Sequence, residues 1–103
     1  MIQNLFSESF ERRDKVQIFA DIILVTSTET KMTRILRLAN IQYNTFTECI
    51  DKLCQSGLLR KIPVNQSDNR VKYSYKATDK GRKWWGVVSM IYQCLEDPTN
   101  TFL

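Results

Sequence analysis

The chain has 103 residues, of which 43% are hydrophobic and 25% charged; this suits one folded domain and excludes two domains, a disordered chain or a fibrous repeat. No apolar run approaches the ~20 residues that a membrane span needs. The N-terminus also lacks the basic-then-apolar layout of a signal peptide. The sequence therefore predicts a cytoplasmic protein that does not bind membranes.

Residue types that carry chemistry are few. Histidine is absent, and the three cysteines, Cys49, Cys54 and Cys94, do not have metal-ligand spacing, so neither a metal nor a cofactor is expected. The sequence lacks a Ser-His-Asp set, a Cys-His pair and a glycine-rich phosphate loop, so an enzyme is not expected. A free cysteine in an apolar helix behaves as a small hydrophobic residue, and packing is the role predicted for all three.

The net charge of +4 is concentrated in one segment. Residues 60–83 carry eight basic and two acidic side chains, a balance of +6, whereas residues 1–59 balance to zero and residues 84–103 carry −2. Such a basic patch attracts polyanions. Lysines that keep a hairpin soluble and protect sheet edges would give the same count. Charge alone therefore leaves both interpretations open.

Apolar spacing predicts three helices in the first half of the chain, at about Arg12–Ser27, Lys31–Ala39 and Tyr43–Ser56. Residues 1–11 have no clear periodicity and are predicted to be a flexible N-terminus. Asn40 and Gly57 follow the second and third helices, where a left-handed cap residue is expected. The link of about three residues between these two helices is typical of a helix-turn-helix.

The second half predicts a β-hairpin and a last helix. Leu58–Ile62 forms the first predicted strand, Pro63–Asn69 a polar loop, and Val71–Ala77 a strand that alternates between a dry and a wet face. Thr78 is expected to cap a helix at Asp79–Leu95. The tail at residues 97–103 is predicted to be flexible. The predicted fold is mainly α with a small β-hairpin, in the order α1-α2-α3-β-wing-β-α4, within one domain at residues 12–96.

Three segments of this sequence resemble the archaeal winged helix-turn-helix family: RRDKVQIFADIILV, KMTRILRLANIQYNTFTECIDKLCQSGLL and YKATDKGRKWW. The resemblance covers about Arg12 to Tyr92. It implies a small homodimeric, nucleoid-associated or transcription-regulating protein that binds double-stranded DNA, with the third helix as the reader and the hairpin as the wing. It also implies that the last helix pairs with that of a second copy.

Two features depart from the expected pattern. Gln42 lies where a Ser or Thr cap is expected for the third helix. Glu48 and Asp51 place two negative charges on the reading helix, where they repel phosphate, although an acidic side chain can accept a hydrogen bond from cytosine in the major groove.

The DNA-binding hypothesis assigns roles to individual residues. The N-terminal half of the third helix would face the bases, and the candidates there are Gln42, Tyr43, Asn44, Thr45 and Thr47. Basic residues on the second helix and the wing would contact phosphates and are Lys31, Arg34, Arg37, Arg60, Lys61, Arg70 and Lys72. The last helix would form the dimer interface through Trp84, Val88, Ile91 and Leu95. A plain solvated helix face, or packing on the first helix, remains the alternative for these residues.

Two rival functions remain open. The acidic residues of the third helix favour a winged helix that binds protein within a larger assembly, because fold alone does not decide function. A ligand-sensing repressor would hold a small molecule between the first and last helices, near Trp84, Trp85 and Tyr92. Since no polar residues are expected to converge there, a small-molecule effector is not predicted.

Overall fold

The structure, a computed structural model, describes residues 14–64 and 72–96. Within these ranges the chain forms four helices and a three-stranded antiparallel sheet. The elements in chain order are α1 (Lys15–Val25), β1 (Thr30–Lys31), α2 (Met32–Ala39), α3 (Tyr43–Gln55), β2 (Leu59–Val64), β3 (Lys72–Ala77) and α4 (Asp79–Glu96). The predicted mainly helical fold with a hairpin, here named the wing (β2, β3 and their connection), is confirmed. The tails predicted to be flexible lie outside the described residues.

Helix α1 begins later than its apolar spacing predicts. Asp14 has an extended backbone and forms a capping box with Gln17: its carboxylate accepts from the Gln17 N–H at 2.9 Å, and the Gln17 side chain accepts from the Asp14 N–H at 3.0 Å. The predicted start at Arg12 is therefore wrong, because a capping box fixes the first helical residue. At the other end, Thr26 turns its buried hydroxyl back to donate to the Ile22 carbonyl at 2.7 Å.

The two predicted left-handed caps are confirmed. Asn40, after α2, has φ of 56°, and Gly57, after α3, has φ of 77°. Asparagine and glycine tolerate this conformation better than other residues, which is why residue type alone locates the ends of α2 and α3. The resulting turn between the two helices is three residues long, at positions 40–42.

The sheet has the order β1-β3-β2, with β3 in the centre. Strand β1 was not expected, and it pairs Thr30 with Tyr75. Strand β2 continues through Val64, so the polar loop predicted to begin at Pro63 begins too early. Pro63 pairs with Tyr73 on an edge strand, where its missing N–H leaves no ladder partner unsatisfied.

The face of β3 that is predicted to be exposed to solvent is only partly exposed. Ser74 is buried, and on the side opposite β2 it pairs with Lys31 of β1. Its hydroxyl donates a hydrogen bond to the carboxylate of Glu29. The alternation predicted from sequence is correct for Tyr75 and Ala77, which are buried, and wrong for Tyr73, which is exposed.

A single hydrophobic core joins the helices to the sheet. The rings of Phe46 on α3 and Tyr75 on β3 meet edge to face, with centroids 5.4 Å apart and planes at 82°. Burying each such side chain stabilises the fold by about 1.5–3 kcal/mol. The core residues are Ile22, Ile23, Ile35, Phe46, Cys49, Ile50, Leu53, Leu58, Leu59, Tyr75 and Ala77. This packing fixes the angle between α3 and the wing.

The end of α3 is bonded to the start of α4. The Thr78 hydroxyl donates to the Gly57 carbonyl at 2.6 Å and accepts from the Gly81 N–H at 3.0 Å, which confirms Thr78 as the cap of α4. The Lys80 ammonium donates to the Ser56 carbonyl at 2.8 Å. Rotation of α4 against α3 is therefore restricted at this junction.

Neither described range contains a helix that is both long and apolar enough to cross a lipid bilayer. The same ranges contain no group of three or more Cys, Asp or Glu side chains placed to hold a metal ion.

Candidate nucleic-acid interface

A cleft of about 660 Å³ separates α3 from the wing. Residues at the start of α2, along one side of α3 and on both wing strands line it. Its charged and aromatic lining side chains include Lys31, Tyr43, Asp51, Lys61, Lys72 and Tyr73. Three lysines and one aspartate are therefore among the residues that line the cleft.

The position of Lys61 within the cleft is fixed by an aromatic ring. Its Nζ lies 4.1 Å from the centroid of the Tyr73 ring, a cation–π contact between the two wing strands. Because Lys61 pairs with Tyr75 and Pro63 with Tyr73, the two side chains share one face of the hairpin and meet diagonally. The contact holds a cation on the wing surface that faces α3.

The predicted phosphate-contacting residues divide into three groups. Lys31, Lys61 and Lys72 are brought together along the cleft. The arginines of the set that the structure describes are exposed but outside the cleft lining, and they are Arg34, Arg37 and Arg60. Arg70 lies outside the described residues.

Of the predicted base-reading residues, Tyr43 and Thr47 line the cleft. Gln42, Asn44 and Thr45 do not. Thr45 is two positions before Thr47, which places it about 160° away around the helix axis. The Thr47 hydroxyl donates to the Asn44 carbonyl at 2.9 Å and keeps its lone pairs free to accept. Of the five predicted residues, the structure thus brings Tyr43 and Thr47 to the side of α3 that lines the cleft.

The start of α3 has no side-chain cap. Gln42 occupies the cap position with an extended backbone and makes no cap hydrogen bond through its side chain, and the first turn of α3 contains no acidic residue. The expected departure from a Ser or Thr cap is thus confirmed. The first N–H groups of α3 and the positive end of its dipole stay available to an anion.

The two acidic residues of α3 have different surroundings. Glu48 lies on the side of α3 next to α1, where its carboxylate is 3.4 Å from the ammonium of Lys15. Asp51, about 60° away around the helix axis, lines the cleft together with Lys61 and Lys72. The sequence predicts two negative charges on this helix, and of the two only Asp51 lines the cleft beside the wing.

Basic residues at the start of α4 serve the fold. Lys80 is bonded to the end of α3, as described above. Arg82 forms an ion pair with Asp79 and donates to the Ala77 carbonyl at 3.3 Å. Part of the +6 charge excess of residues 60–83 therefore does not face the cleft.

The cysteines of α3 are packing residues, as predicted. Cys49 is buried in the core and Cys54 packs against it. Burial raises the pKa of both thiols above the usual value of 9.0, so they stay protonated near neutral pH and are poor nucleophiles and poor metal ligands. Burial likewise raises the pKa of the Tyr75 hydroxyl, on the floor of the cleft.

Helix α4 divides the predicted dimer residues between two environments. Trp84 is half-buried and packs against the core, and Val88 lines a groove between α4 and α1. Ile91 and Leu95 are 53% and 72% exposed. The large apolar side chains that α4 exposes in the described chain are Val87, Met90, Ile91 and Leu95, here named the α4 stripe.

The groove between α1 and α4 is shallow, about 340 Å³. Its apolar floor includes Leu24 and Trp85, and its polar rim is formed by Gln17, Asp21, Ser89, Tyr92 and Gln93. The expectation that no polar residues converge beside Trp85 and Tyr92 is therefore wrong. Residues separated in sequence meet there because α1 and α4 pack side by side.

Comparison with known proteins agrees with this architecture. A family model described as winged helix-turn-helix matches residues 12–94. No curated protein sequence matches the chain. Because the family model covers most of the sequence, it establishes that the chain is a member of this family without reference to the solved structures.

Several solved structures share the fold. A PadR-like transcription factor from Bacteroides fragilis is 18% identical, with a TM-score of 0.70 over 92% of this chain and 97% of that chain. The DNA-binding protein Sso10a-2 from Sulfolobus solfataricus is 23% identical, with a TM-score of 0.71 over 82% and 83% of the two chains. The transcriptional regulator BldR from the same organism is 19% identical, with a TM-score of 0.67 over 85% of this chain and 62% of that chain. The chain belongs to the winged helix-turn-helix family.

Proposed function

We propose that the chain is a transcriptional regulator that binds double-stranded DNA through α3 and the wing. The observation that carries this proposal is the cleft between α3 and the wing, whose lining includes Lys31, Lys61 and Lys72. Family membership supports the proposal, as do the structurally similar PadR-like transcription factor and the DNA-binding Sso10a-2. The proposed role is binding, without an enzymatic activity, in the cytoplasm and in association with the nucleoid.

In the proposed complex, α3 enters the major groove and the wing lies over the adjacent backbone. Lys61 and Lys72 on the wing and Lys31 at the start of α2 contact phosphates, and the uncapped start of α3 faces another. These contacts fix the position of the protein on the duplex and release counterions, so they supply a salt-dependent affinity that does not depend on sequence. Tyr43 and Thr47 then face the base edges.

We further propose that the protein is a homodimer formed through the α4 stripe. Val87, Met90, Ile91 and Leu95 are spaced by i, i+3, i+4 and i+8, which puts them along one side of the helix. An exposed apolar stripe of this kind is typical of a protein–protein contact. This proposal retains Ile91 and Leu95 from the sequence-based set and leaves out Trp84, which packs against the core, and Val88, which lines the groove beside α1. A twofold dimer would bind two half-sites about one helical turn, or a multiple of it, apart.

Regulation by a small ligand is a second candidate, favoured by the polar rim of the groove between α1 and α4. Trp85 lies in this groove, so its fluorescence would report a ligand there. A saturable change during a screen of small metabolites supports this candidate, and an unchanged spectrum across the screen opposes it.

A salt titration tests the DNA-binding proposal. Binding of the full chain to a labelled random duplex is followed by fluorescence anisotropy over a range of salt concentrations. We expect log K to fall linearly with log salt, with a slope of several units, since each neutralised phosphate contributes about 0.9. A flat dependence, or no binding at low salt, contradicts the proposal and favours a winged helix that binds protein.

A further inference from the structure

The carboxylate of Asp51 faces the surface that is proposed to bind DNA. It shares the cleft with three lysines, and it is exposed. Near a polyanion, an exposed carboxylate lowers the attraction that the lysines provide and is itself repelled by phosphate. Asp51 therefore weakens binding to the DNA backbone. A hydrogen bond from a donor group on a base to the Asp51 carboxylate would offset this loss of affinity.

Glu48 provides an internal comparison on the same helix. Its carboxylate lies beside Lys15 on the side of α3 that packs near α1, 3.4 Å from the ammonium. Glu48 thus has a partner within the chain and does not line the cleft, whereas Asp51 lies on the side that faces the wing. Only one of the two acidic residues on α3 is placed to meet a ligand in the cleft.

Asp51 completes a row of side chains on α3. Tyr43, Thr47 and Asp51 all line the cleft and follow one another at i, i+4 and i+8. At 1.5 Å per residue the row extends about 12 Å along the helix. At about 3.4 Å per nucleotide along a strand, that length matches three to four base steps. A helix lying along the major groove would present the whole row to the base edges.

We infer that Asp51 is a specificity-determining residue that selects a C·G base pair by accepting a hydrogen bond from the N4 amino group of cytosine. The inference rests on the proposed DNA-binding function. In the major groove a carboxylate can only accept, and cytosine offers an N4 donor with no acceptor on its own major-groove edge. Adenine places the N7 acceptor beside its N6 donor, and guanine presents acceptors, so both are less suitable partners for Asp51.

The test is selection from a randomised duplex library with the wild type and the exposed variants Asp51→Asn and Asp51→Ala. Glu48→Gln is the matched control, because it removes an acidic charge from α3 outside the cleft. We expect the wild type to favour C·G at one position by about tenfold, within the range of about 5- to 150-fold that a good base contact provides. Asp51→Ala should lose this preference, and Asp51→Asn should shift it toward A·T, since asparagine pairs with adenine N6 and N7. Glu48→Gln should retain the wild-type preference.

Failure of this inference is distinguishable from failure of DNA binding. If both Asp51 variants bind all duplexes more tightly while the selected sequence stays that of the wild type, Asp51 only repels phosphate and the inference is wrong, although the chain still binds DNA. The inference is also overturned if Glu48→Gln changes the selected base in the same way as Asp51→Asn. If the wild type binds no duplex at low salt, both the inference and the proposed function are wrong.

Discussion

The hydroxyl of Tyr92 donates a 2.7 Å hydrogen bond to the carboxylate of Asp14, which caps α1. The two residues are 78 positions apart, so this bond ties the C-terminal half of α4 to the first turn of α1. The bond, together with that from the Gln17 N–H, lowers the pKa of Asp14 below its usual 3.8. The same bond raises the pKa of Tyr92.

This contact makes part of the stability depend on pH. Because the folded-state pKa of Asp14 is lowered, its stabilisation is present above the ordinary pKa of 3.8 and is lost as pH falls through the folded-state value. We expect Tyr92→Phe to be less stable than the wild type at neutral pH, and the difference to shrink below about pH 4. Urea unfolding at fixed protein concentration and several pH values measures the difference.

Two variants control for this effect. Tyr73→Phe removes a tyrosine hydroxyl from the wing, away from Asp14, and should keep the wild-type acid dependence. Asp14→Asn retains a good helix cap but removes the charge, so its unfolding free energy should lack the contribution that Asp14 makes to the change near pH 4. A Tyr92→Phe difference that is constant from pH 7 to pH 2 would show that the hydroxyl does not act through the Asp14 charge.

Gly81 should be intolerant of any side chain. A Cβ at this position would lie 2.1 Å from the Leu58 carbonyl oxygen, and a backbone atom cannot move aside cheaply. We expect Gly81→Ala to lower the free energy of unfolding by about 1–3 kcal/mol or more, the cost of forcing atoms into a packed interior. Thermal and urea unfolding measure the loss.

Gly86 on the same helix is the matched control. A Cβ there would have no atom within 4 Å, so Gly86→Ala should stabilise α4 by about 0.5–1 kcal/mol through helix propensity. If both alanine variants change the free energy of unfolding in the same direction, the close approach of Gly81 to Leu58 is not the reason that Gly81 is sensitive to substitution.

Residue type alone locates the ends of α2 and α3 and the start of α4, because the local backbone needs a particular residue there. Asn40 and Gly57 occupy left-handed positions, and Thr78 caps α4 with a hydroxyl. Strand β1 could not be found in this way, because the two residues Thr30–Lys31 have no periodicity and become a strand only by pairing with β3.

The packing partners of a side chain are the least predictable property of the site. Trp84 and Ile91 lie on the same side of α4, yet Trp84 packs against the core and Ile91, about two turns further along, is exposed. The basic segment was predicted as a unit, but the register of β2 and β3 decides that Lys61 meets Tyr73, while Lys80 is bonded within the fold. These differences arise from contacts between distant residues, which local patterns do not contain.

Each of the lysines Lys61 and Lys72 in the cleft should make a similar contribution to DNA affinity. We expect Lys61→Ala and Lys72→Ala each to lower the log–log salt slope by about 0.9, since each removes one phosphate contact. Both variants should weaken binding to all duplexes alike. Lys83→Ala, which removes the same charge from an exposed position on α4 outside the cleft, should leave the slope unchanged. Equal slope changes for all three variants would mean that overall charge, and not the cleft, determines the affinity.

The α4 stripe should be required for dimer formation. We expect the wild type to sediment at twice the 12.1 kDa of one chain, and Ile91→Glu to sediment as a monomer, because a carboxylate buried in an apolar contact has no partner to offset its desolvation. Leu38→Glu is the matched control, since Leu38 is 51% exposed, close to the 53% of Ile91, but lies on α2. Leu38→Glu should remain dimeric.

The monomeric Ile91→Glu variant should also lose affinity for paired half-sites more than for a single half-site, because only a dimer binds both half-sites at once. If Ile91→Glu sediments like the wild type, or if Leu38→Glu sediments as a monomer, the dimer interface does not lie on the α4 stripe.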